Sequence, residues 1–262
     1  MKNKFLFINI LLLLAVIFCL AGCGKSEENE GARSEKKETE AEIENSVDDV
    51  SDAEEAAWQD ISEEAPESDS EDDFVPKEPP ESKESFVLIQ DYIPNVYMDL
   101  KYATDDNFTG KVIYDFNSAY LRYGTVEKLG RVSEELAKDG YALKIWDAFR
   151  PVSAQFKLWE ICPDPTYVAN PNNGYSSHSR GNTVDLTIVT QEGEEVEMPT
   201  GFDDFSQKAD RDYSDCGKTE AENATYLENI MVKYGFEGYQ GEWWHYSDTE
   251  EYPVEEEFCP VK

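Results

Sequence analysis

The chain has 262 residues but only two histidines, His178 and His245. His178 lies in "SSHSRGNTVDLTI", seven residues before Asp185, and His245 lies in "GEWWHY", three residues after Glu242. A lone histidine is usually a structural ring with one hydrogen bond. Here each of the two has a carboxylate at short range. Two imidazoles and one carboxylate make the three-ligand set of a hydrolytic zinc, with a fourth position left for water. Zinc held in this way makes water acidic enough to attack a carbonyl near neutral pH. A free carboxylate beside it must then take the water's proton and pass it to the leaving amine, and Glu242 is the natural candidate. In an ideal strand, residues three apart face opposite sides, so "EWWH" must bend or bulge if both ends are to serve one site.

The elements that position these residues are legible in outline. "NTVDLTIV" alternates: Val184, Leu186 and Ile188 point one way, and Thr183, Asp185 and Thr187 the other. Asp185 therefore projects away from the apolar face of its own strand. "YALKIWDAF" also reads as a strand, and "SFVLIQDY" and "VYMDLKYA" read as strands or extended segments. "TVEKLGRVSEELAKDG" carries Val126, Leu129, Val132 and Leu136 at helical spacing, with Thr125 as candidate cap and Gly140 as stop. Pro151 opens a second helix over "VSAQFKLWEI". "TEAENATYLENIMVKYG" has Thr219 and Glu222 in capping-box spacing and ends at Gly235. "GEWWHYS" is aromatic and strand-like. Helices alternate irregularly with short strands, which predicts an α+β fold with a small, mostly antiparallel sheet and helices packed on it, the zinc in a central cleft.

The net charge of −34 argues against nucleic acid or an anionic membrane surface as partner. Residues 25–84 carry 24 acids and six bases with few aromatics, and such a segment cannot bury enough apolar surface to offset its ordering entropy. It reads as a tether reaching on the order of 40 Å, with Trp58 a weak candidate docking point. Ahead of it stand Lys2 and Lys4, then an apolar run from Phe5 to Leu20, then "LAGC" from Leu20 to Cys23. The run is short for a membrane span and has the layout of an export signal. "LAGC" resembles a bacterial lipobox, which implies that Cys23 becomes the lipidated first residue. The expected organisation is a lipoprotein signal peptide over 1–22, lipidated Cys23 and an acidic tether over 23–85, and one catalytic domain over 86–262.

"SSHSRGNTVDLT" together with "EWWHY" resembles the zinc peptidases that cleave D-Ala-D-Ala, in the subgroup of D-alanyl-D-alanine dipeptidases known from vancomycin resistance. Their pattern S-x-H-x-x-G-x-x-x-D, then E-x-W-H, appears here as Ser176, His178, Gly181 and Asp185, then Glu242, Trp244 and His245. "DLKYATDDNFTG", "WDAFRP", "GFDDF" and the terminal "FCPVK" extend the likeness over essentially all of 86–262. The resemblance implies one zinc per chain on His178, Asp185 and His245, with Glu242 as general base. It implies that Arg150 faces the developing oxyanion, against the plainer reading of a salt bridge to Asp147. It also implies that Ser176, Asp203 and Tyr102 hold the termini of a small peptide, with Asp204 the alternative to Asp203.

The resistance enzymes work in the cytoplasm, whereas this chain carries an export signal. The expectation is hydrolysis of D-Ala-D-Ala at the outer side of the cell membrane, in wall turnover or nutrition. One alternative is a D,D-carboxypeptidase acting on peptidoglycan stems, and another is a non-catalytic wall-binding lipoprotein. Cys162, Cys216 and Cys259 remain in the mature domain; an oxidising compartment would allow one pair to form, and the sequence does not choose which.

Overall fold

The computed structural model describes residues 74–261. The expected signal peptide, Cys23, Trp58 and the tether up to residue 73 lie outside the described residues. Those described contain seven strands and three α-helices. β1 (Phe86–Leu88) pairs antiparallel with β3 (Tyr120–Arg122) in a two-stranded sheet. The main sheet has the order β2 (Tyr97–Met98), β4 (Tyr141–Asp147), β5 (Thr183–Thr190), β7 (His245–Asp248), β6 (Phe236–Gly238). Only β2 runs parallel to its neighbour; the other pairings are antiparallel. The α+β class and the mostly antiparallel sheet follow the expectation.

β5 is the central strand, buried on both faces up to Val189. Its apolar side chains meet those of β4 in register, Leu186 against Ile145 and Ile188 against Leu143. Directly opposed residues share a face, and this one belongs to the main core. α1 (Tyr123–Ala137) contributes Val126, Leu129, Val132 and Leu136 to it, and α3 (Lys218–Lys233) contributes Leu227, Ile230 and Met231. Six of these seven apolar side chains are fully buried, each stabilising the layer by roughly 1.5–3 kcal/mol. A second cluster lies around α2 (Val152–Ile161), where Ala154 and Leu158 pack with Tyr102, Ile113, Tyr114, Phe116 and Val168.

Three local expectations change. α1 begins at Tyr123 with Arg122 at its cap position, and Thr125 lies inside the first turn. The Thr125 hydroxyl instead donates to Asp248 Oδ2 at 2.9 Å, tying the helix to β7. α3 begins at Lys218 after Gly217, so Thr219 caps nothing. "VYMDLKYA" is extended only at Tyr97–Met98 and then turns into a short 3-10 segment, Lys101–Ala103. Gly140 and Gly235 do sit just past their helices with φ of +82° and +90°, where a side chain would be strained.

Candidate active site and metal centre

β5 and β7 bring the two sequence motifs together. Asp185 is the cross-strand partner of His245. A register shift between Ile145 and Asp147 in β4 places Asp147 opposite Asp185 on the other side. Such a bulge re-aims a side chain at the strand end. His178 arrives from a 3-10 turn, Ser177–Arg180, whose cap is Ser176; the Ser176 hydroxyl accepts from the His178 amide at 3.3 Å. The turn is fastened by Arg150 N–H donating to His178 O at 3.3 Å and by Ser179 Oγ donating to Arg150 O at 2.9 Å. Gly181 closes it at φ +75°, where a Cβ would lie 2.4 Å from the Phe86 ring, so no larger residue fits.

"EWWH" does bend. The strand starts only at His245, and the expected strand reading of "GEWW" gives way to a turn. Glu242 N–H donates to Tyr239 O and His245 N–H to Glu242 O, at 3.2 and 3.3 Å. Trp243 and Trp244 turn inward and are fully buried, which leaves Glu242 and His245 on the same side. Glu242 Oε2 is 3.5 Å from His245 Nδ1.

The centre is a set of acceptor atoms. One ligand atom each from His178, Asp185 and His245 lies within 4.8 Å of the others. Asp185 Oδ2 is 3.2 Å from His178 Nε2, and Oδ1 is 2.9 Å from His245 Nδ1. The two ring nitrogens are 3.3 Å apart. His178 Nδ1 is 2.8 Å from Ala148 O, a carbonyl that can only accept, so Nδ1 carries the proton and a neutral ring turns the Nε2 lone pair inward. His245 Nε2 reaches Ser177 Oγ at 3.4 Å and leaves Nδ1 facing the centre. Asp185 Oδ1 is buried and accepts no hydrogen bond. Lone pairs this close need positive charge among them, and a nitrogen, nitrogen, carboxylate set suits zinc. The residues therefore fit the metal on their own chemistry, and the backbone carbonyl behind His178 is the usual outer partner that orients such a ligand.

Arg150 is fixed on two sides. Its Nε and Nη2 donate to Asp147 Oδ2 at 2.9 and 2.6 Å, and Nη1 donates to Gln155 Oε1 at 2.9 Å. The salt bridge to Asp147 is thus present, and Arg150 still borders the cavity, with Nη2 3.9 Å from Asp185 Oδ2. Asp147 is saturated, since Tyr114 Oη and the Ala148 amide also donate to it. Tyr102 lies under the guanidinium and donates to Asp203 Oδ2 at 2.8 Å. Burial pushes the Asp203 carboxyl up to about 8, against the pull of the Tyr102 hydrogen bond. Burial, with Asp185 close by, also raises Glu242 above the usual carboxylate range, and His245 opposes the shift. Burial works against the charged form of His178, but Asp185 more than reverses this, and its pKa is raised.

These groups line one cavity of about 280 Å³, at the small end for ligand sites. Every residue singled out in the sequence for the metal, the proton transfer and the substrate termini borders it. Asp204 does not; it is exposed, and its carboxylate accepts from the Ser206 amide at 2.8 Å. Tyr167, Tyr175 and Tyr239 complete the wall, and the sequence reading did not name them. Tyr175 stands at φ +66° and Asp203 at +55°, strained conformations of the kind that gather at functional sites, though neither residue type signals this.

The sequence pattern of the peptidase family M15, described as D-Ala-D-Ala dipeptidase, matches residues 82–262. The chain belongs to that D-Ala-D-Ala dipeptidase family. It is therefore a peptidase, and zinc is characteristic of the family. Among its relatives is the D-alanyl-D-alanine dipeptidase of Enterococcus faecium, 36% identical over 198 residues that span 68% of this chain and 98% of that one. The Escherichia coli D-alanyl-D-alanine dipeptidase is 37% identical over 153 residues, 58% of this chain and 79% of the other. A solved structure of the vancomycin-resistance D,D-pentapeptidase VanY with Zn(II) overlaps 51% of this chain and 75% of its own at a TM-score of 0.35 and 16% identity. That overlap is too loose to extend to the site of this dipeptidase-family chain. Among the described residues, Cys162, Cys216 and Cys259 are free thiols.

Proposed function

We propose that the chain is an exported, lipid-anchored, zinc-dependent dipeptidase that hydrolyses D-Ala-D-Ala to two D-Ala at the outer side of the membrane. The observation that carries the chemistry is the convergence of His178, Asp185 and His245 within 4.8 Å, with Glu242 and Arg150 on the same cavity. Zinc, when held by these three residues, supplies a Lewis acid that polarises the scissile carbonyl and makes water acidic enough to react near neutral pH. Glu242 accepts the proton of the attacking water and delivers it to the leaving amine, and its carboxylate stands on the cavity wall 3.5 Å from His245 Nδ1. Arg150 meets the negative charge that develops on the carbonyl oxygen. Asp147 and Gln155 already hold its guanidinium, so little reorganisation is needed at the moment of reaction. Asp203, bridged to Tyr102, receives the substrate ammonium, and Ser176 lies on the wall for the other terminus.

The small size of the cavity favours a dipeptide over a stem peptide. Beside it the segments carrying Tyr167 and Phe108 both meet Phe205, with ring centroids 4.5 and 5.3 Å apart. A carboxypeptidase must leave the direction beyond the ammonium open. A non-catalytic wall binder needs neither a carboxylate beside the metal ligands nor a clamped arginine. The test is D-Ala release by the purified full chain with equimolar zinc. Absence of both zinc binding and D-Ala release would end this reading.

For location, the support is Lys2 and Lys4, the apolar run and "LAGC", followed by the acidic stretch 25–84 as tether. Cells fed a labelled fatty acid should label the wild-type chain and not Cys23→Ala. Equal label in both would refute the anchor.

A further inference from the structure

Arg211 lies outside the cavity lining, and no motif in the sequence points to it, yet it reaches the back of the turn that carries Glu242 and His245. Its Nε donates to Tyr239 O at 2.8 Å, and its Nη2 donates to both Trp243 O and His245 O at 2.9 Å. Its own amide donates to Gln240 O at 3.1 Å. Three carbonyls within seven residues of one loop thus converge on a single guanidinium. The central carbon of that guanidinium lies over the Tyr246 ring, 4.4 Å from its centroid, and Nη1 donates to Tyr246 Oη at 3.2 Å. Glu228 on α3 pairs with Nη1 at 3.3 Å, so the charge is compensated inside the protein.

The site around Arg211 is shaped for it. A Cβ at Gly238 would lie 2.3 Å from the guanidinium carbon and 2.5 Å from Nε. Only glycine leaves the space. Tyr239 O and His245 O already accept the amides of Glu242 and Tyr239, and the guanidinium adds a second donor to each while also serving Trp243 O. A fixed fork of five N–H groups can serve three carbonyls at once, where a lysine ammonium on a flexible stem cannot hold the same geometry. Among the described residues, no other side chain holds the bend in "EWWH", which puts Glu242 and His245 on one side, at three points.

We propose that Arg211 is a positioning residue for the reaction: it fixes the turn so that Glu242 and His245 Nδ1 stand in register with Asp185 and His178. This rests on the reading of His245 as a metal ligand and Glu242 as the base.

The experiment uses the full chain and three variants: Arg211→Lys, Arg211→Ala and Gly238→Ala, the last of which displaces the guanidinium without removing it. The readouts are zinc affinity by chelator competition, the visible spectrum of the cobalt(II)-substituted protein, kcat and KM on D-Ala-D-Ala, and the melting temperature. We expect folded Arg211→Lys and Gly238→Ala to lose at least tenfold in kcat with KM changed less than threefold. Zinc should bind about tenfold more weakly, in the range of lost outer supports of a metal site. The cobalt spectrum should shift, and millimolar guanidinium should restore part of the kcat of Arg211→Ala. Folded variants with wild-type kcat, zinc affinity and cobalt spectrum would overturn the proposal. So would failure of all three to fold, which would make Arg211 a stability residue only. A wild-type chain that neither binds zinc nor cleaves the dipeptide would refute the underlying site reading instead, so the two failures are distinguishable.

Discussion

Asp185 and His245 face each other across β5 and β7, with Oδ1 2.9 Å from Nδ1 and no hydrogen bond accepted by that oxygen. A ladder pair of β5 and β7 thus aligns two of the three residues that could hold a metal, and His178 comes to them from a separate turn. The arrangement costs nothing in backbone regularity at Asp185 and depends on the bend before His245.

The first prediction concerns metal content. His178→Ala or His245→Ala should weaken zinc binding by more than about 100-fold, beyond the loss typical of outer-shell changes. Metal analysis after dialysis against a mild chelator checks it. Variants that keep stoichiometric zinc would remove those residues from the ligand set.

Glu242→Ala should separate binding from turnover. Zinc content should be unchanged while kcat falls by roughly 10²–10⁴, the usual contribution of a positioned acid–base group. Near-normal turnover in the zinc-loaded variant would take Glu242 out of the base role.

Much of this was legible in one sequence because period and spacing carry it. Val126, Leu129, Val132 and Leu136 repeat at helical spacing and all end in the core. The alternation around Asp185 gave its direction, because β5 is a regular strand. What stayed hidden depends on partners far along the chain. Thr125 looks like a cap, but its hydroxyl serves Asp248, 123 residues away. The turn over "GEWW" reads as strand, because the burial of Trp243 and Trp244 and the carbonyls held by Arg211 are tertiary facts. Asp203 and Asp204 are equivalent as letters, and only the loop geometry turns the first inward and leaves the second on a local amide.

Asp203 also predicts a pH dependence of stability. The unfolded carboxyl loses its proton near 3.9, and the folded one near 8 because of burial. Between these values the folded metal-free protein holds the extra proton, so this group's effect on stability falls as pH rises through the window. Asp203→Asn keeps an acceptor for Tyr102 and cannot ionise. Its melting temperature relative to wild type should rise from pH 4 to pH 8 by about 3 °C or more, the shift expected for ~1 kcal/mol in a domain of this size. A difference that does not change across that range would contradict a buried, proton-holding Asp203.

The proposed function requires a free dipeptide in the cavity with its ammonium at Asp203. A charged hydrogen bond there is worth roughly 1.5–3 kcal/mol, and acetylating the amine removes the charge and adds bulk in a small cavity. The most direct measurement is kcat/KM of the zinc-loaded full chain on D-Ala-D-Ala and on its N-acetyl form, with released D-Ala as the readout. We expect at least a tenfold preference for the free dipeptide, reduced in Asp203→Ala by selective loss of activity on that substrate. Equal cleavage of the blocked dipeptide, or of a pentapeptide stem, would contradict it and make the enzyme a carboxypeptidase.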